Sequence, residues 1–227
     1  MSLASAWEDH AGEWIAWARA SRHDGFKDGT WPALRALLPA AGPRAAIDVG
    51  CGEGRAAREL LKLGHRVVGV ERSPRLAAAA AAASPGLSVL LADAAALPLA
   101  DQCADLVVAC MSLLDVDDFP GTVREIGRVL RPGGRLCAAV VHPFVSARDA
   151  DSLHAPTFRV SQPYLEERRY VDRIERDGLG MTFVSMHRPL SAYTSALFAS
   201  GMVISGLAEG GGSTVPWLLA LRADKIR

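Results

Sequence analysis

Residues Ala45 to Ala57 read AAIDVGCGEGRAA. A continuous apolar run, as a buried parallel strand carries, leads into Gly50, Gly52 and Gly54. Glycines placed there let a ligand approach the backbone closely. The spacing separates the candidate ligands. A dinucleotide turn reads G-x-G-x-x-G; counted from Gly50, its third glycine falls on Arg55, and the match fails. A P-loop reads G-x-x-x-x-G-K-[ST], and the chain has no Gly-Lys pair. What stands is D-x-G-x-G-x-G from Asp48 to Gly54, a loop that suits a ligand without phosphate.

Outward from this turn, strands and helices alternate. RAARELLKLG predicts a helix ended by Gly64, and RVVGVE a second strand. Ser73 is placed to cap an Ala-rich helix that has Pro74 at its first position. LSVLLAD and CADLVVACM read as strands three and four, TVREIGRVL as a helix stopped by RPGG, and RLCAAVVHP as strand five. The expected fold is therefore α/β, a doubly wound, mostly parallel, Rossmann-like sheet of seven strands with the last antiparallel. The whole chain, 1–227, reads as one domain. Residues 1–40 form an N-terminal helical cap, with one amphipathic helix over 4–20 and a short helix over Pro32–Leu38. Residues 45–141 form the ligand-binding core. The more polar residues 143–186, with an Asp177–Gly178 turn signal, read as an inserted hairpin lid. Residues 187–227 supply a last helix and two strands joined around Gly210–Gly212.

Composition narrows the function classes. The chain of 227 residues is 50% hydrophobic with zero net charge, so no basic excess points to nucleic acid. No apolar run approaches the ~20 residues of a membrane helix, and the first residues, MSLASAWEDH, lack a signal-peptide pattern. Cys51, Cys103, Cys110 and Cys137 show no metal-type spacing and read as reduced core thiols of a cytoplasmic protein. No metal site is expected; the acids Asp115, Asp117 and Asp118 read as a solvated helix start.

In an open parallel sheet, ligands bind beyond the carboxyl ends of the strands. Strand two ends in Glu71, which suits ribose hydroxyls. Strand three ends in Asp93 and Ala94, which suit an adenine edge. Strand four ends in Cys110 and Met111, over the ligand's middle.

These residues carry a family resemblance. IDVGCGEGRAARELLKLGHRVVGVERSP, LLADAAALPLAD, ADLVVACMSLLDVDD and REIGRVLRPGGRL are similar to the core of class I S-adenosylmethionine-dependent methyltransferases. The resemblance is to the small-molecule group similar to the ubiquinone, menaquinone and biotin-pathway enzymes, and the tail MHRPLSAYTSALFASGMVISGLAE is also similar. The resemblance implies S-adenosylmethionine as cofactor and S-adenosylhomocysteine as product. It implies that Asp48, Gly50, Cys51, Gly52 and Gly54 hold the methionine portion and Glu71 the ribose. Arg72 would flank the adenine, Asp93 and Ala94 would read it, and Cys110 and Met111 would line the sulfonium. Arg19 would meet the cofactor carboxylate. Relatives often carry a His-His pair after strand four, where this chain reads SLLDVDD.

The acceptor is expected to be a small molecule with an O, N or C nucleophile, attacked in line by a monomer or homodimer. His142, at the end of strand five, and His187 are the candidate bases. Trp14, Trp17, His23 and Arg188 are the candidate acceptor contacts, while His10, His65 and His154 read as surface residues. Two other readings stay open: an inactive cofactor-binding module and a nucleic-acid methyltransferase.

Overall fold

The computed structural model describes residues 1–20, 23–40, 44–148, 158–160, 162–211 and 215–226. His154 and Gly212, singled out above, lie outside the described residues.

The alternating pattern folds as strands β1 (Ala45–Val49), β2 (Arg66–Glu71), β3 (Ser88–Leu91), β4 (Ala104–Cys110) and β5 (Leu130–Val141). Helices α4 (Arg55–Lys62), α5 (Pro74–Ala83) and α6 (Phe119–Val129) connect them. The seven-stranded sheet is completed by β8 (Met202–Gly210) and β9 (Leu218–Lys225), in the order β3-β2-β1-β4-β5-β9-β8. β1 to β5 pair in parallel. β9 runs antiparallel to both β5 and β8, so it alone opposes the sheet direction. The chain order reverses between β1 and β4, the switch point where ligands settle in such sheets.

The apolar strands feed two cores, one per face, because successive side chains point to opposite sides. Ile47, Val107, Ala109, Val140 and Leu219 pack under α6 and α8 (Leu190–Ala199), against Ile126 and Leu197. Their neighbours Ala46, Leu106, Val108, Ala139 and Leu218 pack under α3 (Trp31–Leu37) and α4, against Leu34 and Leu60. The signals read for α5 hold: Ser73 Oγ accepts the Leu76 N–H at 3.1 Å, with Pro74 in the first turn.

The N-terminal segment differs from a single helix over 4–20. It forms α1 (Leu3–Asp9) and α2 (Ala11–Arg19), broken at His10. The break lets the Trp7 and Trp14 rings meet edge-on at 5.7 Å, which one straight helix at this spacing would not give. A π-helical turn at Phe26–Thr30 then leads into α3.

After the short helix α7 (Pro143–Ser146), β6 (Arg168–Arg176) and β7 (Leu179–His187) form a separate antiparallel hairpin. Its turn is the expected Asp177–Gly178 pair, both residues with positive φ, 51° and 76°. Two successive left-handed residues match the right-handed twist of the strands they join. The hairpin lies on α2, where Met181 and Phe183 pack with Trp14 and Trp17.

Candidate active site

Beyond the carboxyl ends of β1, β2 and β4 lies a cavity of about 330 Å³. Its floor is the glycine turn. Gly50, Gly52 and Gly54 all have positive φ, and the Gly50 and Cys51 N–H groups both donate to the Val70 carbonyl, at 2.8 and 3.0 Å. A Cβ on Gly52 would come 3.2 Å from Trp14 Nε1, so this position needs both glycine's conformation and its missing side chain. Asp48 points into this floor. It is fully buried, and neither carboxylate oxygen has a hydrogen-bond partner. Burial pushes its pKa up to about 7, opposed by the Ala57 backbone N–H nearby and the Arg55 charge and reinforced by the Glu71 charge.

Glu71 ends β2 on the cavity wall. Oε2 accepts the Gly52 N–H and Oε1 the Arg72 and Ser73 N–H groups, each at 2.8 Å. Burial raises its pKa against these three bonds. Asp93 accepts the Ala95 N–H at 2.9 Å, and Arg72 Nη1 reaches it at 2.9 Å and Asp117 at 3.6 Å. Ala94, Cys110 and Met111 complete this side. Met111 holds φ +55° with its N–H on the Ala139 carbonyl at 2.8 Å, a strained turn where β4 leaves the sheet. Burial drives the Cys51 thiol up, and that of Cys110 up to about 12, so both stay protonated. Over the cavity sit Trp7 and Trp14 from α1 and α2, Phe26, Trp217, and Tyr170, Ile174 and Phe183 from the hairpin.

A family model described as a methyltransferase domain matches residues 47–138, the stretch that supplies this floor and wall. The malonyl-[acyl-carrier protein] O-methyltransferase of Pectobacterium atrosepticum is 29% identical over 140 residues, 62% of this chain and 53% of the relative. The demethylmenaquinone methyltransferase of Chlorobaculum parvum is 32% identical over 100 residues, 44% of this chain and 41% of the relative. The crystal structure of an S-adenosylmethionine-dependent methyltransferase from Mesorhizobium loti superposes with a TM-score of 0.71 at 28% identity. The match covers 87% of this chain and 99% of that one.

Residues 47–138 thus match a methyltransferase domain, on a fold shared with an S-adenosylmethionine-dependent methyltransferase of known structure. The chain spans about half the length of the curated relatives it matches.

The residues expected around the cofactor converge: Asp48, Gly50, Cys51, Gly52, Glu71, Arg72, Asp93, Ala94, Cys110 and Met111 all line the cavity. Gly54 lies just behind them as the left-handed cap of α4. Arg19 does not line it. Its guanidinium pairs with Glu53 at 3.2 Å and donates to the Ala79 carbonyl. The arginine that does reach the cavity is Arg55, held between the Trp14 and Phe26 rings at 4.6 and 4.4 Å and ion-paired with Asp24.

The acceptor side is corrected more strongly. His142 lies off the cavity, because its Nδ1 accepts the Phe144 N–H at the start of α7 and its Nε2 meets Glu209 at 2.8 Å. His187 is also buried away from the cavity. Nε2 donates to the Tyr164 carbonyl, which leaves Nδ1 to accept from Ser146 Oγ at 2.7 Å, and burial lowers its pKa, so it is a neutral structural group. Arg188 packs over Phe119 and donates to the Leu113 and Val116 carbonyls, bracing the loop after β4 rather than meeting a ligand. His23 meets the Arg176 carbonyl and stands edge-on to Trp17, and both lie behind the cavity wall; Trp14 alone of these candidates faces it.

The acid cluster after β4 divides three ways. Asp118 caps α6 through the Gly121 N–H, as expected of a helix start. Asp117 receives the Leu3 and Ala4 N–H groups of α1. Asp115 turns into the cavity and accepts from Ser185 Oγ at 2.6 Å. Sequence reading missed Asp115 in this role, together with Tyr170, Asp172, Ile174, Phe183, Ser185, Trp217 and Arg55. One signal was available: a two-residue turn at Asp177–Gly178 fixes the hairpin register and sets Tyr170 opposite Ser185. Among the described residues, no cluster of His, Cys, Asp or Glu is placed to hold a metal, and no helix is long and apolar enough to cross a membrane.

Proposed function

We propose that this chain transfers the methyl group of S-adenosylmethionine to a small organic acceptor by in-line displacement. The carrying observation is Asp48, a carboxylate buried without a partner in the floor of a cavity built on the glycine turn. An unpaired buried charge is costly, and the ammonium of a methionine-derived ligand would neutralise it. The residues present therefore fit the cofactor. Asp48 and the Gly50–Gly54 turn would hold the amino-acid end. Glu71, already fixed by three backbone N–H groups, would accept ribose hydroxyls. Asp93 and the Ala94 N–H would read the adenine, with Arg72 flanking the ring.

The bound cofactor supplies an already activated methyl group, so the protein's task is alignment and exclusion of water. The hairpin, α1 and α2 serve this reading as the lid of a single domain. They close the cavity with Trp7, Trp14 and Phe183, whose rings lie 5.7 to 6.5 Å apart. The cavity volume is of the size that suits a small ligand. The zero net charge favours a small acceptor over nucleic acid, and the same reading makes the chain a cytoplasmic enzyme acting as a monomer or homodimer.

Isothermal titration with S-adenosylhomocysteine tests the proposal. One binding site per chain is expected; absence of heat at high micromolar ligand would overturn it.

A further inference from the structure

The chain as a whole is neutral, but its cavity is not. The wall carries eight carboxylates and two guanidiniums. Both guanidiniums are already paired, Arg55 with Asp24 and Arg72 with Asp93 and Asp117. A cationic cofactor gains from this balance. An anionic acceptor finds no unpaired positive group among the described residues to meet it.

On the hairpin side the wall becomes aromatic around a small polar centre. Ser185 Oγ donates to Asp115 Oδ1 at 2.6 Å, and Tyr170 stands directly opposite Ser185 across the hairpin. The Trp7 indole N–H faces the same carboxylate. The loop carrying Asp115 is fixed from both sides: Met186 N–H donates to the Leu114 carbonyl at 2.9 Å, and Arg188 donates to those of Leu113 and Val116. This is a rigidly held carboxylate at the cavity wall, with Trp7, Tyr170 and Phe183 lining the same cavity.

We propose that the acceptor is an uncharged aromatic compound bearing a hydroxyl, and that Asp115, oriented by Ser185, takes the hydroxyl proton. The proposal rests on the methyltransferase reading above. In the step, the acceptor oxygen bonds to the methyl carbon as the sulfur–carbon bond breaks and its electron pair stays on sulfur. The O–H bond breaks, its electrons remain on the oxygen, and the proton passes to Asp115 and then to solvent. Asp115 would be the catalytic residue, Ser185 and Arg188 positioning residues.

The groups facing Asp115 set its working range. Burial and Glu71 raise its pKa; Ser185, the Trp7 indole N–H and Arg188 pull it down, and the balance is about 8. The phenol of Tyr170 is pushed up by burial and by Asp115 itself, so it remains protonated as a donor. A base must be ionised to act, so the rate should rise with pH through this range.

The test uses 2-naphthol and 2-naphthoate with the full chain saturated with S-adenosylhomocysteine. 2-Naphthol should bind about tenfold tighter or more, the discrimination expected when an anion meets uncompensated carboxylates. With S-adenosylmethionine, methylation of 2-naphthol should rise toward alkaline pH. D115N should lower kcat by about a hundredfold or more and flatten that rise. S185A should shift the apparent pKa upward, because the ionised form loses a hydrogen bond, and S185T should restore it. If D115N does not fold, the S185A shift decides. Equal or tighter binding of naphthoate, binding of neither probe, a D115N enzyme with unchanged kcat and pH profile, or an S185A enzyme with an unmoved apparent pKa would overturn the proposal. Failure of S-adenosylhomocysteine to bind at all would instead overturn the underlying reading.

Discussion

Glu71 and Asp48 show how differently two acids can sit in one wall. Glu71 is held by three N–H donors before any ligand arrives, so its geometry is preset and its removal should be felt mainly on binding. Glu71→Ala is expected to weaken S-adenosylhomocysteine binding by roughly 1–3 kcal/mol, the size of lost charge-assisted hydrogen bonds; unchanged affinity in calorimetry would move the ribose contact elsewhere. Asp48 has only the Ala57 backbone N–H nearby, and no bond of full hydrogen-bond geometry. Its carboxyl sits at about 7 in the folded protein, above its ordinary value. The native state therefore keeps a proton that the unfolded chain releases, and stability of the ligand-free protein falls as pH rises from about 4 through 7. Asp115, pushed up to about 8, extends the same trend. Asp48→Asn should stabilise the ligand-free protein at pH 8 by up to about 4 kcal/mol, with little gain at pH 4, and should weaken S-adenosylhomocysteine binding. Urea titrations at the two pH values check this; a variant less stable than the parent at pH 8 would refute it.

At the scale of elements, the hairpin separates the two halves of the site. It contributes Tyr170, Asp172, Ile174, Phe183 and Ser185 but none of the glycine turn or Glu71 wall. Its register depends on two left-handed residues, and Gly178 at φ +76° is the one for which a side chain is least tolerated. Gly178→Ala should cost about 1 kcal/mol, raise the KM for the acceptor, and leave S-adenosylhomocysteine affinity within twofold. A parallel loss of cofactor affinity would mean that the hairpin also orders the cofactor half.

The same division explains what the sequence could reveal. β1, β2, β4 and β5 are buried on both faces and announce themselves as apolar runs, and the glycine turn and strand-end acids follow from their ends. β6 alternates between half-buried and exposed positions over polar residues, so nothing in its composition says that Tyr170 and Asp172 face a cavity. His142 and His187 read as candidate bases, and both lie away from the cavity. Their ring nitrogens are taken by the Phe144 N–H, Glu209, Ser146 and the Tyr164 carbonyl, partners set by tertiary contacts that no local pattern records. The helix over 4–20 failed for a related reason: its period of apolar residues continues across the His10 break, and only the packing of Trp7 and Trp14 reveals it.

Taken whole, the molecule carries no net charge while its cavity concentrates negative charge. A cleft lined by one sign of charge, with low-dielectric walls, focuses the field at its mouth and accelerates capture of the opposite charge. S-adenosylmethionine carries one more positive charge than S-adenosylhomocysteine, so the two ligands separate this effect from shape. The association rate of S-adenosylmethionine should exceed that of S-adenosylhomocysteine at low salt and fall toward it as added salt shortens the Debye length to about 10 Å or less. Dissociation rates should respond less, since contacts inside the cavity are screened poorly. Trp7, Trp14 and Trp217 line the cavity, so stopped-flow tryptophan fluorescence reads both rates without a label. Equal salt dependence of the two association rates would show that the carboxylates act only after contact. A steeper fall for the sulfonium ligand would make the acidic wall a device for selecting cofactor over product.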